Sequence, residues 1–159
     1  MLMYGLIGNK ISLMKSLMIA ILLPILFSTT PHWLNDFKQA KQIAQQEHKY
    51  ILLNFSGSDW CGPCIRMHQE VFNTDEFQRV ADKKLVMVNA DFPRLKKNQL
   101  SSAQQKINDA LAEQYNTKGL FPFTLLLDEN GKVIKTWEGF YTNGSQEFSQ
   151  LINQLTNSK

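Results

Sequence analysis

Cysteine is scarce in this sequence, with two residues, Cys61 and Cys64, in a chain of 159. A framework of structural disulfides is therefore excluded, because no third cysteine is available for a second bridge. A zinc site normally needs four ligands, and without another cysteine pair only His32, His48 and His68 could complete it. The two cysteines could instead form a single structural disulfide, but so short a loop would constrain the unfolded chain little and add little stability.

An excess of charge of one sign is also lacking. The net charge is +3, with 19% charged and 43% hydrophobic residues, which is ordinary for a globular protein and does not indicate nucleic-acid binding. The sequence contains no internal repeat and no low-complexity tract. No apolar run reaches the roughly 20 residues that a membrane-spanning helix needs. The length therefore predicts one domain that is large enough for a proper core.

Residues 1–30 have the layout of a secretory signal. Two lysines and no acid precede an unbroken apolar run, 17–27, and small polar residues follow it. An uncleaved membrane anchor is the alternative, and the start of translation, Met1 or Met14, stays open. We expect residues 31–159 to form the folded domain, periplasmic or otherwise exported and held by the leader if it is not cleaved. Disulfides form and persist in such compartments.

Both cysteines lie in the segment around which the other elements are arranged. A hydrophobic run, 50–55, leads into the segment 58–64, and a helical pattern, 65–72, leads out of it. This order predicts a strand, a short turn and a helix that begins at the cysteines. In such a setting Cys-x-x-Cys indicates a redox pair.

The spacing of the two cysteines suits disulfide exchange, which needs one accessible thiolate and one resolving thiol. At a helix start, free backbone N–H groups and the helix dipole stabilise a thiolate, so we expect Cys61 to be the attacking thiol. Cys64 lies one turn further in and is expected to resolve the mixed disulfide. Gly62 is expected to let the backbone turn and to leave Cys61 uncovered. Pro63 is tolerated because the first turn of a helix has no internal partner for its N–H.

The other elements alternate between helix and strand. Apolar periodicity predicts helices over 33–48, 74–79, 103–115 and 146–155, and strands over 50–55, 85–90, 125–128 and 133–137. We expect Ile107, Ala110, Leu111 and Tyr115 to face inward from the helix over 103–115. The polar stretch 91–102 is expected to be a solvated loop, with a docking surface for a partner as the alternative. The order predicts an α/β fold, with a central mixed sheet of about four strands and helices on both faces.

Three motifs resemble the thioredoxin-like family, and the resemblance covers roughly residues 33–155. The string Trp-Cys-Gly-Pro-Cys, 60–64, resembles the active site of thioredoxin, and the segment 119–124 resembles the family's Gly-x-Pro-Thr stretch. The third motif is the turn at 128–132, with Gly139 beyond it. The residues before the first cysteine, 57–60, resemble exported members of the family more closely than ordinary thioredoxin. They are also similar to the C-terminal domain of the periplasmic thiol:disulfide interchange protein.

This resemblance implies a thioredoxin-like fold, a redox disulfide between Cys61 and Cys64, and no cofactor or metal. The residues that it implies for substrate binding and support are Trp60, Gly62, Pro63, Phe121 and Pro122. Pro122 would follow a cis peptide bond and face the cysteines. The implied partners are proteins with disulfides and an upstream electron-donor protein, with a membrane-bound donor among the candidates. We expect a monomer.

The sequence departs from thioredoxin in ways that bear on chemistry. Asn54 stands where thioredoxin has a buried aspartate that helps to deprotonate the resolving cysteine. The candidates to replace that acid, by their nearness in sequence, are Asp59, His68 and Glu70. One extra residue precedes Trp60, and phenylalanines flank Pro122.

The function that the sequence predicts is an exported oxidoreductase that reduces protein disulfides. An oxidase or isomerase is the alternative within the same chemistry, and a binding or chaperone module of the same fold is the alternative outside it. The substrate, the electron donor and the direction of exchange stay open.

Overall fold

The computed structural model describes residues 32–157. The expected signal or anchor, 1–30, lies outside these residues, so that prediction is neither confirmed nor contradicted. Within the described part, no helix has the length and apolarity needed to cross a bilayer.

The described chain contains five strands and five α-helices. The strands are β1 (Trp33–Leu34), β2 (Tyr50–Ser56), β3 (Leu85–Asp91), β4 (Phe123–Leu127) and β5 (Val133–Glu138). The α-helices are α1 (Phe37–Glu47), α2 (Gly62–Met67), α3 (Asp75–Lys84), α4 (Ser102–Tyr115) and α5 (Gly144–Thr156). A π-helical turn, His68–Phe72, continues α2, and a 3-10 turn, Lys96–Asn98, lies in the loop after β3.

The strands form one mixed sheet in the order β1-β3-β2-β4-β5. β3 runs parallel to both β1 and β2, while β4 is antiparallel to β2 and to β5. The predicted mixed sheet is confirmed. Its strand count differs from the expected four or so, because the two residues of β1 add a fifth strand at the edge.

The first helix is shorter than predicted. Residues 33 and 34 pair with β3, and the helix begins at Phe37 because the carboxylate of Asp36 accepts the N–H groups of Lys38 and Gln39. An aspartate in this position satisfies backbone donors that have no partner inside the helix. α3 ends at Lys84, five residues beyond the bound predicted from the sequence.

Helices cover both faces of the sheet, as predicted. The odd-numbered residues of β2 face α1 and α4, in a core that includes Phe37, Ala44 and Leu111. The even-numbered residues face the other helices, in a second core that includes Met67, Phe72 and Phe148. Alternation of side chains along a strand gives each of these buried strands two apolar faces.

On α4 the inward stripe differs from the prediction. Ile107 is 39% exposed, whereas Asn108 is buried at 2%. The side-chain amide of Asn108 donates to the backbone carbonyl of Asp91, at 2.8 Å. A polar side chain can therefore lie on the inner face of this helix, because it has a partner at the end of β3.

Candidate active site

The two cysteines form a disulfide at the start of α2, with the sulfurs 2.03 Å apart. Cys61 is the residue before the helix, and its sulfur accepts the backbone N–H of Cys64 at 3.2 Å. Its carbonyl oxygen accepts the N–H groups of Cys64 and Ile65. The first turn of α2 thus directs backbone donors at Cys61, which is the arrangement that stabilises a thiolate.

Burial distinguishes the two sulfur-bearing residues only slightly in this oxidised form. Cys61 is 5% exposed and Cys64 is 1% exposed. Cys64 is the deeper of the two, as expected, but Cys61 is less open than the sequence suggested. A substrate sulfur therefore meets only a small exposed part of Cys61 in this form.

Gly62 and Pro63 form the exposed beginning of α2, as predicted for the residues between the cysteines. A Cβ at Gly62 would meet no atom within 4 Å, and its backbone is not in the left-handed region. The glycine is therefore not needed for the turn itself, which corrects that part of the interpretation. Its missing side chain leaves open space beside Cys61.

The indole of Trp60 lies against Gly57, where a Cβ would overlap the ring. Its Nε1–H donates to the carbonyl of Phe92 at 2.7 Å. The guanidinium of Arg94 lies 3.6 Å from the centre of the indole ring system, and the ring of Phe121 packs edge-on at 5.5 Å. Contacts from three parts of the chain therefore hold this residue beside Cys61.

The loop after β3 is tied to the active-site turn through Asp59. The carboxylate of Asp59 accepts the backbone N–H groups of Arg94 and Leu95 and the side-chain amide of Asn98, each at 2.9 Å. The hydrogen bond from the N–H of Arg94 is the largest of the influences that lower the pKa of Asp59. Asp59 thus acts as an acceptor for the loop, and the polar stretch 91–102 is in part an ordered wall of the site.

The peptide bond between Phe121 and Pro122 is cis, as the resemblance implied. The carbonyl of Pro122 accepts the N–H of Gly139 at 2.8 Å, and paired hydrogen bonds join Asn116 to Leu120 just before it. The ring of Phe121 reaches Trp60, so this loop lies next to the redox motif.

A chain of buried and half-buried polar side chains lies on the face of β2, β3 and β4 that α2 covers. Asn54 is fully buried; its Oδ1 accepts the hydroxyl of Thr124 at 3.0 Å, and its Nδ2 donates to Asn89 at 3.1 Å. The single O–H of Ser56 lies between two acceptors, Oδ1 of Asn89 at 3.1 Å and Oδ1 of Asp91 at 3.2 Å. The polar groups at the ends of β2 and β3 therefore find hydrogen-bond partners in one another, as buried polar groups require.

His68 joins this network from the π-helical turn. Its Nε2 lies 3.3 Å from Nδ2 of Asn54, and its ring packs against Trp33 and Phe72 at centroid distances of 5.0 and 5.2 Å. Burial lowers the pKa of His68 below its ordinary value of 6.5, against an opposing effect of Asp91. His68 is half-buried, and its contacts with Trp33 and Asn54 come from strands that lie far from it in the sequence.

A cavity of about 250 Å³ opens on the inner side of the disulfide. The residues that line it are Ser56, Ser58, Cys64, Ile65, His68, Gln69 and Asn89. Cys64, the deeper of the two cysteines, and His68 therefore line the same cavity. Glu70, the third candidate acid or base from the sequence, instead pairs with Arg66 at 2.8 Å, and that hydrogen bond lowers its pKa.

Sequence reasoning missed Ser56, Asn89, Asp91 and Thr124 as parts of the site. The signal was present in the strands, because Asn54 and Ser56 are two residues apart and so are Asn89 and Asp91. Polar residues at alternate positions of otherwise apolar strands share one face. Ser56 and Asp91 also end neighbouring parallel strands, which places them at the same edge of the sheet.

Comparison with known proteins gives a family match and a similar curated protein. The model of the thioredoxin-like domain matches residues 37–156. The disulfide bond reductase DsbH of Chlamydia pneumoniae is 36% identical over 117 residues, which cover 74% of this chain and 68% of that protein.

Solved structures agree with the family match. A structure of the DsbH oxidoreductase superposes with a TM-score of 0.72 at 31% identity, covering 83% of this chain and 88% of that one. The oxidised C-terminal domain of Neisseria meningitidis DsbD superposes with a TM-score of 0.51 at 20% identity, covering 74% and 90%. The second likeness shows the fold alone.

Proposed function

The chain belongs to the thioredoxin-like family and is a thiol:disulfide oxidoreductase, and we propose that it reduces disulfides of other proteins through Cys61 and Cys64. The observation that carries the proposal is the pair of cysteines at the start of α2, where the sulfur of Cys61 accepts a backbone N–H of the helix. Such a position favours the thiolate that begins disulfide exchange.

In the proposed reaction the dithiol form reacts first. The thiolate of Cys61 attacks one sulfur of a substrate disulfide, and the other substrate sulfur leaves as a thiolate. A mixed disulfide now joins Cys61 to the substrate. The thiolate of Cys64 attacks Cys61, restores the bridge seen here and releases the second substrate thiol. Two electrons pass to the substrate, and an upstream electron-donor protein must return them.

The surroundings of Cys61 support a protein as substrate. Trp60 and Phe121 present aromatic surface next to the disulfide, and Pro122 follows in the same loop. An extended peptide can pair with exposed backbone at such a place while its side chains contact the rings. We assign the substrate-supporting role to these three residues together with Gly62 and Pro63, which leave the approach open.

Two observations favour reduction over oxidation. The residues between the cysteines are Gly62 and Pro63, as in low-potential thioredoxins, and the similar curated protein is a disulfide bond reductase. The lysine-plus-apolar leader over residues 1–30 supports export of the domain formed by 31–159, either released or anchored. We propose that it acts there as a monomer.

Reduction of insulin by dithiothreitol tests the activity. The wild type should accelerate it, and Cys61→Ser should abolish the acceleration while leaving the fold intact by circular dichroism. Lys106→Ala is the control, because its exposed side chain lies on α4, outside the residues assigned to the site, and it should keep full activity. Equal activity of Cys61→Ser and wild type would show that the thiols are not the reacting groups.

A binding or chaperone module of the same fold is the second candidate, supported by the aromatic surface of Trp60 and Phe121. It predicts that Cys61→Ser still suppresses aggregation of an unfolded protein. The oxidoreductase proposal predicts that the same variant loses disulfide exchange, so one variant separates the two functions.

A further inference from the structure

Cys64 must lose a proton before it can attack the mixed disulfide, and the buried side chain beneath it does not accept one. Asn54 stands on β2 where an acid would serve, but an amide cannot act as a base near neutral pH. Asp59 is occupied by the loop at residues 94–98, and Glu70 by Arg66. The proton must therefore leave in another direction.

His68 is placed to receive it. It lies one helical turn after Cys64, with its backbone N–H donating to the carbonyl of that residue. Both side chains line the same cavity of about 250 Å³, which has room for several water molecules. Among the described residues that line this cavity, His68 is the one titratable group besides the cysteine.

The contacts of the imidazole favour its neutral form. The side-chain oxygen of Asn54 accepts the hydroxyl of Thr124, and its nitrogen donates to Asn89. The same nitrogen faces Nε2 of His68, and because an amide nitrogen has hydrogens and no free lone pair, it can only donate to Nε2. Nε2 then accepts, as in a neutral ring. Trp33 packs against the same ring and contributes no charge.

Burial outweighs the one charged group among the described residues that acts on the ring. Asp91, on β3, interacts with His68 and opposes the effect of burial, which is the larger influence and lowers the pKa of the ring. On the helix, Glu70 is already paired with Arg66. The imidazole is therefore neutral near pH 7 and can take up a proton.

We propose that His68 is the proton acceptor for Cys64 during resolution, an inference that rests on the proposed function. The proton of the Cys64 thiol passes through water in the shared cavity to Nε2, the basic atom of the neutral ring, and Nε2 gives up the hydrogen bond from Asn54 as the imidazolium forms. The Cys64 thiolate attacks the sulfur of Cys61, the bond between Cys61 and the substrate sulfur breaks, and the substrate leaves as a thiolate. The imidazolium then returns its proton to that thiolate or to water.

A single-turnover reaction with dithiobis(nitrobenzoate) separates the two chemical steps. Attack by Cys61 of the reduced protein releases one coloured thiol at a rate that depends on reagent concentration. Resolution by Cys64 releases a second at a rate that does not. Stopped-flow absorbance across pH then gives the resolution rate by itself.

In wild type we expect a resolution rate that is level near neutral pH and falls once the pH drops below the pKa of His68, which lies below 6.5. His68→Gln should resolve about 10²-fold more slowly at neutral pH, the size of a general-base effect, and its rate should rise continuously with pH. Added imidazole should accelerate the variant and leave wild type unchanged. Trp33→Phe is the matched control, because it disturbs the ring packing and keeps the base, so the shape of its profile should be that of wild type.

An unchanged rate and profile in His68→Gln would overturn the proposal. Uniform slowing at every pH, without rescue by imidazole, would overturn it as well, because that is the behaviour of a merely structural residue. If the variant does not fold, the wild-type profile decides, since a rate without an inflection below 6.5 contradicts a histidine base. Release of only one coloured thiol by wild type would instead contradict the proposed function.

Discussion

Replacing Gly57 by alanine should displace Trp60 from its place beside the disulfide. A Cβ at position 57 would overlap the indole, and since the backbone there is not in the left-handed region, the cost comes from this contact alone. Moving the ring loses the hydrogen bond to Phe92, worth about 1 kcal/mol, and the edge-on contact with Phe121, worth about 0.5–1.5 kcal/mol. The cation–π contact with Arg94 adds about 0.5–1 kcal/mol at a surface site.

These losses sum to roughly 2–3.5 kcal/mol, which overlaps the usual cost of about 1–3 kcal/mol for forcing an extra carbon into a packed site. With a slope of about 2 kcal/mol per molar urea, the unfolding midpoint should fall by about 1–2 M. Gly62→Ala is the control, because its Cβ meets nothing within 4 Å, and its midpoint should stay within a few tenths of a molar of wild type. Equal midpoints for the two alanine variants would refute the reasoning.

Three further outcomes follow from the core, the cysteines and the histidine. Phe148→Ala should destabilise the domain by about 3–5 kcal/mol in urea unfolding, because this fully buried ring packs against four other aromatic rings; a loss below 1 kcal/mol would contradict the packing. Cys64→Ser should trap substrate proteins as mixed disulfides on Cys61, whereas Cys61→Ser should trap few; the reverse pattern on non-reducing gels would exchange their roles. Because the folded state lowers the pKa of His68, stability should fall as pH drops from 6.5 toward that lower pKa and then level off, and His68→Phe should lose this dependence in unfolding titrations.

Local pattern was sufficient for much of the fold. The strand over 50–55 and the helix that opens at the cysteines follow from an apolar run and a Cys-x-x-Cys turn, and the structure has both. The missed strand at Trp33–Leu34 shows the limit. Its residues fit the apolar spacing of the helix that follows, and only the cap at Asp36 and pairing with a distant strand separate them from it.

The cysteine motif could be found from sequence, but most of its surroundings could not. Asp59 was a candidate base by nearness in sequence, yet its partners lie 35 to 39 residues away in the loop after β3. Arg94 was assigned to a solvated loop, and it lies on the ring of Trp60. Such contacts depend on which strands end side by side at one edge of the sheet. The order of the strands cannot be predicted from the sequence of any one segment.

The central claim is that Cys61 and Cys64 form a reducing dithiol, and the reduction potential of this pair tests it most directly. Equilibration with dithiothreitol buffers, followed through trapped thiols, gives the value in one titration. With Gly62 and Pro63 between the cysteines, we expect a potential near that of thioredoxin, about −270 mV. A value near about −120 mV, that of the strong oxidant DsbA, would contradict the claim and make the protein a donor of disulfides.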